Sequence, residues 1–313
     1  MLGQRVASTP RDDATRAGRP IPHPGDVPVP NKIAISSYSF HRFGGGPEGN
    51  EAPTLEQMID QCVTLGVDGI EILSEHLQRN DGTSTEALHA LKQYAGLRGI
   101  TPVMVAASHN PVQTTPERRQ EELDKLTRTI DWAYELGAPF VRALGGRWHT
   151  LTSFHEMLAN NGEEPPKDGY TIDQGYEWAI EALSAGATHA GERGVTLVLE
   201  NHWGLTGTAE GTARLHDAVS SPWLKYVLDT GNFLHRPDQY AEMARFLPDL
   251  GLVHAKMYAG GGLLVEADLD YPRIVSMLGE AGYNGYISIE FEGKAHPEQG
   301  ISDGLLTLRS ALV

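Results

Sequence analysis

The sequence predicts an α/β fold, a (β/α)8 TIM barrel built as a single domain over residues 32–313. Three observations carry the prediction. Eight short runs, mostly rich in Val, Ile and Leu, recur along the chain; amphipathic stretches with helix-start and helix-stop residues separate them; and Glu200, Asp229, His254 and Glu290 stand at or near the ends of the last four runs, at intervals of 29, 25 and 36 residues. Such intervals match successive strand-helix units, and eight of those units form a parallel barrel.

The strand-like runs are 33–40, 69–73, 102–107, 140–144, 196–199, 225–228, 252–257 and 286–291. Helix starts stand between them. Thr54 and Thr171 each precede a Gln three positions on, the form of a capping box, and Thr115 precedes Pro116 at a first helical position. Gly66, Gly99, Gly137 and Gly194 lie where helices should stop, since glycine tolerates the left-handed conformation of a C-cap. The connection over residues 145–175, after the fourth run, is long for a compact domain and reads as a lid or binding loop. A run of three glycines, Gly260 to Gly262, follows the seventh strand and reads as a turn or as backbone close to a ligand.

Residues 1–31 differ in kind, with prolines interleaved among Arg5, Arg11, Arg16 and Arg19. Such a segment cannot fold alone, so it is expected to be a tail or an arm laid across a partner subunit of a homo-oligomer. The single cysteine, Cys62, shares a helical face with Met58 and Leu65 and belongs to the core. A net charge of −16 repels phosphate backbones and excludes nucleic acid as a partner. No apolar stretch is long enough to span a bilayer and no signal-like h-region opens the chain, so a cytoplasmic protein without membrane contact is expected.

In this fold the active site forms where strands end. Period-two alternation puts Glu200 and His202 on one face of the fifth strand, and His254 and Lys256 on one face of the seventh. Three carboxylates and an imidazole converging at one barrel mouth are costly unless a cation joins them. The donor set is hard to borderline, which favours Mn²⁺, with Mg²⁺, Co²⁺ or Zn²⁺ as alternatives. The competing reading is an ion-pair layer in which these acids meet Arg142, Arg147 or Lys256.

The motifs Glu200-Asn201-His202-Trp203-Gly204, Asp229-Thr230-Gly231-Asn232, His254-Ala255-Lys256 and Ser288-Ile289-Glu290-Phe291-Glu292-Gly293, supported by Gly146-Arg147-Trp148, resemble the xylose isomerase-like TIM barrel family of sugar phosphate isomerases and epimerases. The resemblance implies a metal held by Glu200, Asp229, His254 and Glu290, with Glu200 and Glu290 also carrying the proton. The chain departs from the family's epimerases at Asn232, where they often carry histidine, and at His149, where close relatives carry glycine. An added imidazole suits a reaction that needs a separate base. The α subunits of C-glycoside deglycosidases, similar to the same superfamily, imply a 3-keto-glycoside substrate, elimination of an aglycone and a small β subunit.

Further pocket candidates are His149 as a general base, and His202, Lys256, Arg147 and His109 as groups that bind sugar oxygens. Trp148 and Trp203 are candidates to stack on a sugar or aromatic ring. The expected activity is proton abstraction α to the ketone of a small sugar or keto-glycoside, leading to isomerisation, epimerisation or β-elimination. The alternatives are a sugar-binding barrel without catalysis and an abasic-site endonuclease, the second opposed by the net charge.

Overall fold

A computed structural model describes residues 31–40, 53–79, 82–233 and 237–313. The expected arm over residues 1–31 lies outside these apart from Asn31. Eight parallel strands close into a barrel in chain order: β1 (Lys32–Ser36), β2 (Gly69–Leu73), β3 (Thr101–Ala106), β4 (Phe140–Ala143), β5 (Thr196–Glu200), β6 (Leu224–Asp229), β7 (Leu250–Met257) and β8 (Tyr286–Phe291). Strand β8 returns to pair with β1 through Lys32 to Ile35.

The first strand is shorter than its apolar pattern suggests. Ser37–Phe40 turns into a 3₁₀ helix because its serines bind backbone outside the ladder. Ser37 Oγ accepts the Leu73 N–H at 2.9 Å, while Ser39 Oγ donates to the Ile289 carbonyl and accepts the Phe291 N–H, each at 2.9 Å. Hydroxyls that capture backbone groups in this way compete with strand pairing.

Helices α1 (Leu55–Leu65), α2 (Ser74–Gln78), α3 (Thr85–Gly96), α4 (Pro116–Leu136), α5 (Phe154–Ala159), α6 (Ile172–Arg193), α7 (Ala209–Val219), α8 (Gln239–Ala244), α9 (Tyr271–Glu280) and α10 (Pro297–Ala311) follow along the described chain. The capping boxes form at Thr54 and Thr171, and Thr115 accepts from the Arg118 N–H ahead of α4. Gly66, Gly137 and Gly194 take left-handed C-caps. Cys62 is buried on α1 beside Met58 and Ile59, and burial pushes its thiol up to about 12, which leaves it protonated and unreactive.

Two apolar layers result. One fills the space between strands and helices. The other is a small plug inside the barrel that includes Ala34, Val103, Val198, Val227 and Leu252. Two residues beyond several members of that plug, on the same inward face, stand Ser36, Glu200, Asp229 and His254, all buried. The barrel interior is thus apolar below and polar at the carboxyl ends of its strands.

Two glycine substitutions test this packing with opposite signs. A Cβ on Gly300 of α10 would lie 2.2 Å from the Phe291 ring, whereas one on Gly96 of α3 meets nothing within 4 Å. Gly300→Ala is expected to destabilise by about 1–3 kcal/mol through overpacking. Gly96→Ala is expected to stabilise by about 0.4–1 kcal/mol. Urea unfolding midpoints check both signs.

Candidate metal centre and active site

Each of the last four strands contributes one inward polar residue at nearly the same height, and their reach converges. Glu200, Asp229, His254 and Glu290 each offer one donor atom, all within 4.8 Å of one another. His254 Nδ1 lies at the middle, 3.3 Å from Glu200 Oε1, 3.8 Å from Asp229 Oδ2 and 3.7 Å from Glu290 Oε1. The backbone holding them is itself clamped. Asn201 accepts the Asp229 N–H at 2.7 Å and donates to the Asp229 carbonyl at 2.9 Å, tying β5 to β6. Thr230 donates its hydroxyl proton to the His254 carbonyl at 3.0 Å, which ties the turn after β6 to β7.

The second oxygen of each carboxylate is engaged by the protein. Arg142 Nη1 lies 3.3 Å from Glu200 Oε2, Lys256 Nζ donates to Glu290 Oε2 at 2.6 Å, and Asp229 Oδ1 accepts the Gly231 N–H at 2.8 Å. Lys256 also reaches Glu292 Oε1 at 2.8 Å and Asp229 Oδ2 at 3.2 Å. Ion pairs of the kind foreseen as the alternative therefore form, and the four residues that could hold a metal ion still bring one donor atom each to a common centre.

Electrostatics follow from burial and pairing. Burial works to raise the Glu200 carboxyl, but Arg142 and the His254 contact overcome it and hold it well below the usual range. Glu290 is lowered against the same burial by His254 and Lys256. At Asp229 burial wins, and the carboxyl is pushed up to about 6. Although burial opposes a charge on His254, Glu290 and Glu71 hold it well above the usual histidine value. Buried atoms without a hydrogen-bond partner include one of the ring-facing donors, Asp229 Oδ2, and also Glu200 Oε2 and His254 Nε2, which face Arg142 and Glu71 instead. Four buried oxygen and nitrogen donors within reach of one another, carrying more negative than positive charge, fit a divalent cation.

A family model described as the xylose isomerase-like TIM barrel matches residues 59–311. The chain belongs to that family. Solved structures of family-like barrels superpose on it at low sequence identity. D-psicose 3-epimerase from Clostridium cellulolyticum H10, with D-tagatose, matches at a TM-score of 0.69 and 18% identity, covering 90% of this chain and 99% of that one. The apo 3-keto-D-glucoside 4-epimerase YcjR from E. coli gives the same figures. A curated relative, the C-glycoside deglycosidase alpha subunit of Arthrobacter globiformis, is 37% identical over 67 residues, which are 21% of this chain and 18% of that relative. The alignment thus spans under a fifth of the relative's length.

The xylose isomerase-like barrel positions the remaining candidates unequally. His202 is half-buried beside the ring, with Glu200, Arg142 and Lys256 among its charged neighbours; loss of solvent lowers its pKa and leaves it neutral. His149 lies further out, exposed at a φ of 53°, and its charged neighbours are Arg147, Glu164, Lys167 and Glu122 rather than the ring acids. Its backbone N–H is held by Glu164 Oε2 at 3.0 Å, and Glu164 Oε1 accepts from Arg147 at 2.7 Å. Arg147 is thereby a staple of the long connection. Together with His109, His202 and Trp203, His149 and Arg147 line a cavity of about 380 Å³ beyond β3, β4 and β5.

The expectation for Trp148 is corrected. Its indole is 1% exposed and packs against Tyr170 and Trp178, with ring centroids 6.1 and 5.6 Å away, so it anchors the connection from within the core and offers no face to a ligand. Gly175 admits it, since a Cβ there would stand 2.8 Å from the indole. Glu71 of β2 escaped notice in the sequence. It is fully buried, its Oε2 lies 3.0 Å from His254 Nε2, and the signal available was a lone acid between Ile70 and Ile72 in a buried strand.

His109 gives a pH test. Its Nε2 accepts the Leu144 N–H at 3.0 Å, and burial, reinforced by Arg142, pushes its pKa down to about 3. The folded protein keeps it neutral while the unfolded chain protonates near 6.5, so its contribution is intact above pH 6.5 and is lost as pH falls from there towards 3. Between pH 7 and pH 5, His109→Gln should lose about 2 kcal/mol less stability than the parent. Urea titrations with chelator present measure the difference.

Proposed function

We propose that this protein is a divalent-metal-dependent enzyme that removes the proton α to the ketone of a small sugar and thereby isomerises or epimerises it. The observation that carries the reading is the convergence of three carboxylates and one imidazole on a shared centre at the carboxyl ends of β5 to β8. The sugar epimerases among the structures of similar fold support it. Glu200, Asp229, His254 and Glu290 would hold the cation, Mn²⁺ by preference. When bound, such a cation polarises a ketone oxygen and makes the neighbouring C–H more acidic.

The protein's own residues supply the rest. Glu200 and Glu290 are the proton carriers. They project from strands separated by β6 and β7, so they reach a substrate carbon from two sides, one able to take a proton and the other to return it. Lys256 positions Glu290 through their 2.6 Å hydrogen bond and offers charge to a substrate oxygen. His202, kept neutral, serves as donor or acceptor for a sugar hydroxyl.

A second reading takes a keto-glycoside as substrate. The cavity beyond β3 to β5 has room for a group attached to the reacting sugar, and the local similarity to the deglycosidase alpha subunit points the same way. In that case the C–H electron pair forms a C=C bond as the bond to the leaving group breaks, and the leaving group departs with its electron pair and takes up a proton. His149, at the cavity wall and with its pKa lowered by burial and Arg147, is the separate base for that reaction: it takes the α proton and passes it to the leaving group. A homo-oligomer, with a small second subunit for the deglycosidase-like reaction, belongs to this proposal and is read by sedimentation of the purified complex.

Incubation of metal-loaded protein with ketoses and 3-keto-glycosides in D₂O should wash deuterium into the α position, and NMR of the sugar reads it. Glu200→Gln and Glu290→Gln should each slow exchange by about 10²-fold or more. Asp229→Ala should lose bound metal and activity together. A metal-free Asp229→Ala protein with parental activity rejects the proposal, and released aglycone separates elimination from epimerisation.

A further inference from the structure

We infer that Glu71 is a positioning residue for the metal centre, holding the His254 imidazole so that Nδ1 faces Glu200, Asp229 and Glu290. The inference rests on the proposed metal site and concerns a residue outside its ligand set. Glu71 and His254 come from strands on different sides of the barrel, β2 and β7, yet Glu71 Oε2 lies 3.0 Å from His254 Nε2. Both side chains are fully buried. Among the described residues Nε2 forms no aligned hydrogen bond with any group, and the Glu71 carboxylate 3.0 Å away is the charge it faces.

Glu71 is itself held from both flanks. Ser36 Oγ donates to its Oε1 at 3.2 Å and Ser288 Oγ donates to its Oε2 at 2.8 Å. Ser36 is the register partner of Glu71 on β1, and Ser288 is the register partner of His254 on β8. The two hydroxyls therefore fix the carboxylate from the neighbouring strands, opposite the imidazole edge. A buried carboxylate with only two neutral donors is costly, and a facing N–H offsets that cost.

The consequence concerns which nitrogen bears the proton. With Nε2–H turned to Glu71, the Nδ1 lone pair is free to point at the ligand ring. An imidazole lacking that partner can rotate or carry its proton on Nδ1, where it would repel a cation. Outer carboxylates of this kind govern metal affinity by about 10–100-fold.

The test measures metal binding and imidazole protonation, with no turnover assay. Chelator competition gives the Mn²⁺ affinity of the parent, Glu71→Met and Glu71→Gln. Glu71→Met should bind at least tenfold more weakly, while Glu71→Gln, whose amide oxygen still accepts, should recover to within threefold of the parent. In ¹⁵N-histidine NMR of Zn²⁺-loaded protein, His254 should carry its proton on Nε2 in the parent and lose that pure signature in Glu71→Met. Unfolding midpoints separate a merely structural role, which lowers stability without moving affinity or tautomer. Should Glu71→Met fail to fold, the double variant Ser36→Ala/Ser288→Ala, which cuts the tethers, should weaken binding at least threefold. Parental affinity in these variants overturns the role of Glu71 and leaves the proposed function standing; a parent that binds no divalent cation overturns both.

Discussion

Five carboxylates, Glu71, Glu200, Asp229, Glu290 and Glu292, crowd one end of the barrel interior, and the rest of the structure is arranged around making that tolerable. Four of them are buried outright. Isolated ionised carboxylates in such a place would neutralise themselves by taking protons. Arg142 and Lys256, sent inward from β4 and β7, pair with Glu200, Asp229, Glu290 and Glu292, and hold the Glu200 and Glu290 carboxyls below their usual range against burial. The exception marks the limit of that compensation: at Asp229 burial outweighs Lys256 and the carboxyl rises to about 6.

Holding like charges in place requires a backbone that cannot relax away from them. The apolar plug below the site fixes the strands, and the clamps between their ends fix the height of each residue. Tyr271 adds another by donating from α9 to the Lys256 carbonyl, which places the lysine against three acids. Facing this rigid half is the connection over residues 145–175, held by the buried Arg147–Glu164 pair and the aromatic stack of Trp148, Tyr170 and Trp178. The acidic cluster thus stands on strands, while one wall of the neighbouring cavity stands on a stapled connection.

Much of this is legible in the sequence because it is local. Alternation along a strand predicts that Glu200 and His202 share a face, and a Thr with a Gln three positions on predicts a helix start. The four ring residues are found for the same reason: each ends its own apolar run. What escapes is pairing across the barrel. Nothing near Glu71 in sequence names His254 as its counterpart, and that contact between β2 and β7 exists only once the strands close. Trp148 misleads for a related reason, since a tryptophan in a long connection looks the same whether its indole faces a ligand or the core. The Ser37–Phe40 turn is hidden because its apolar residues prolong the strand pattern while its hydroxyls end it.

The two sequence readings of the acidic cluster, ion pairs or metal ligands, are compatible, because the ion pairs leave some oxygens of the same carboxylates turned to a common centre. Arg142 and Lys256 address the outer oxygens of Glu200 and Glu290, and a backbone N–H takes one oxygen of Asp229; the other oxygens lie 3.3 to 3.8 Å from His254 Nδ1, that of Asp229 also 3.2 Å from Lys256. Pairing of this kind does not use up the site; it orients it, because a carboxylate fixed at one oxygen has little freedom at the other. Nor does it balance the site, as two side-chain cations stand against five carboxyl groups. A divalent cation on the inner oxygens brings the count nearest to neutrality without disturbing the outer pairs, and it asks His254 to be a neutral donor rather than an imidazolium. The side chain placed to settle that choice is Glu71, on the far edge of the ring.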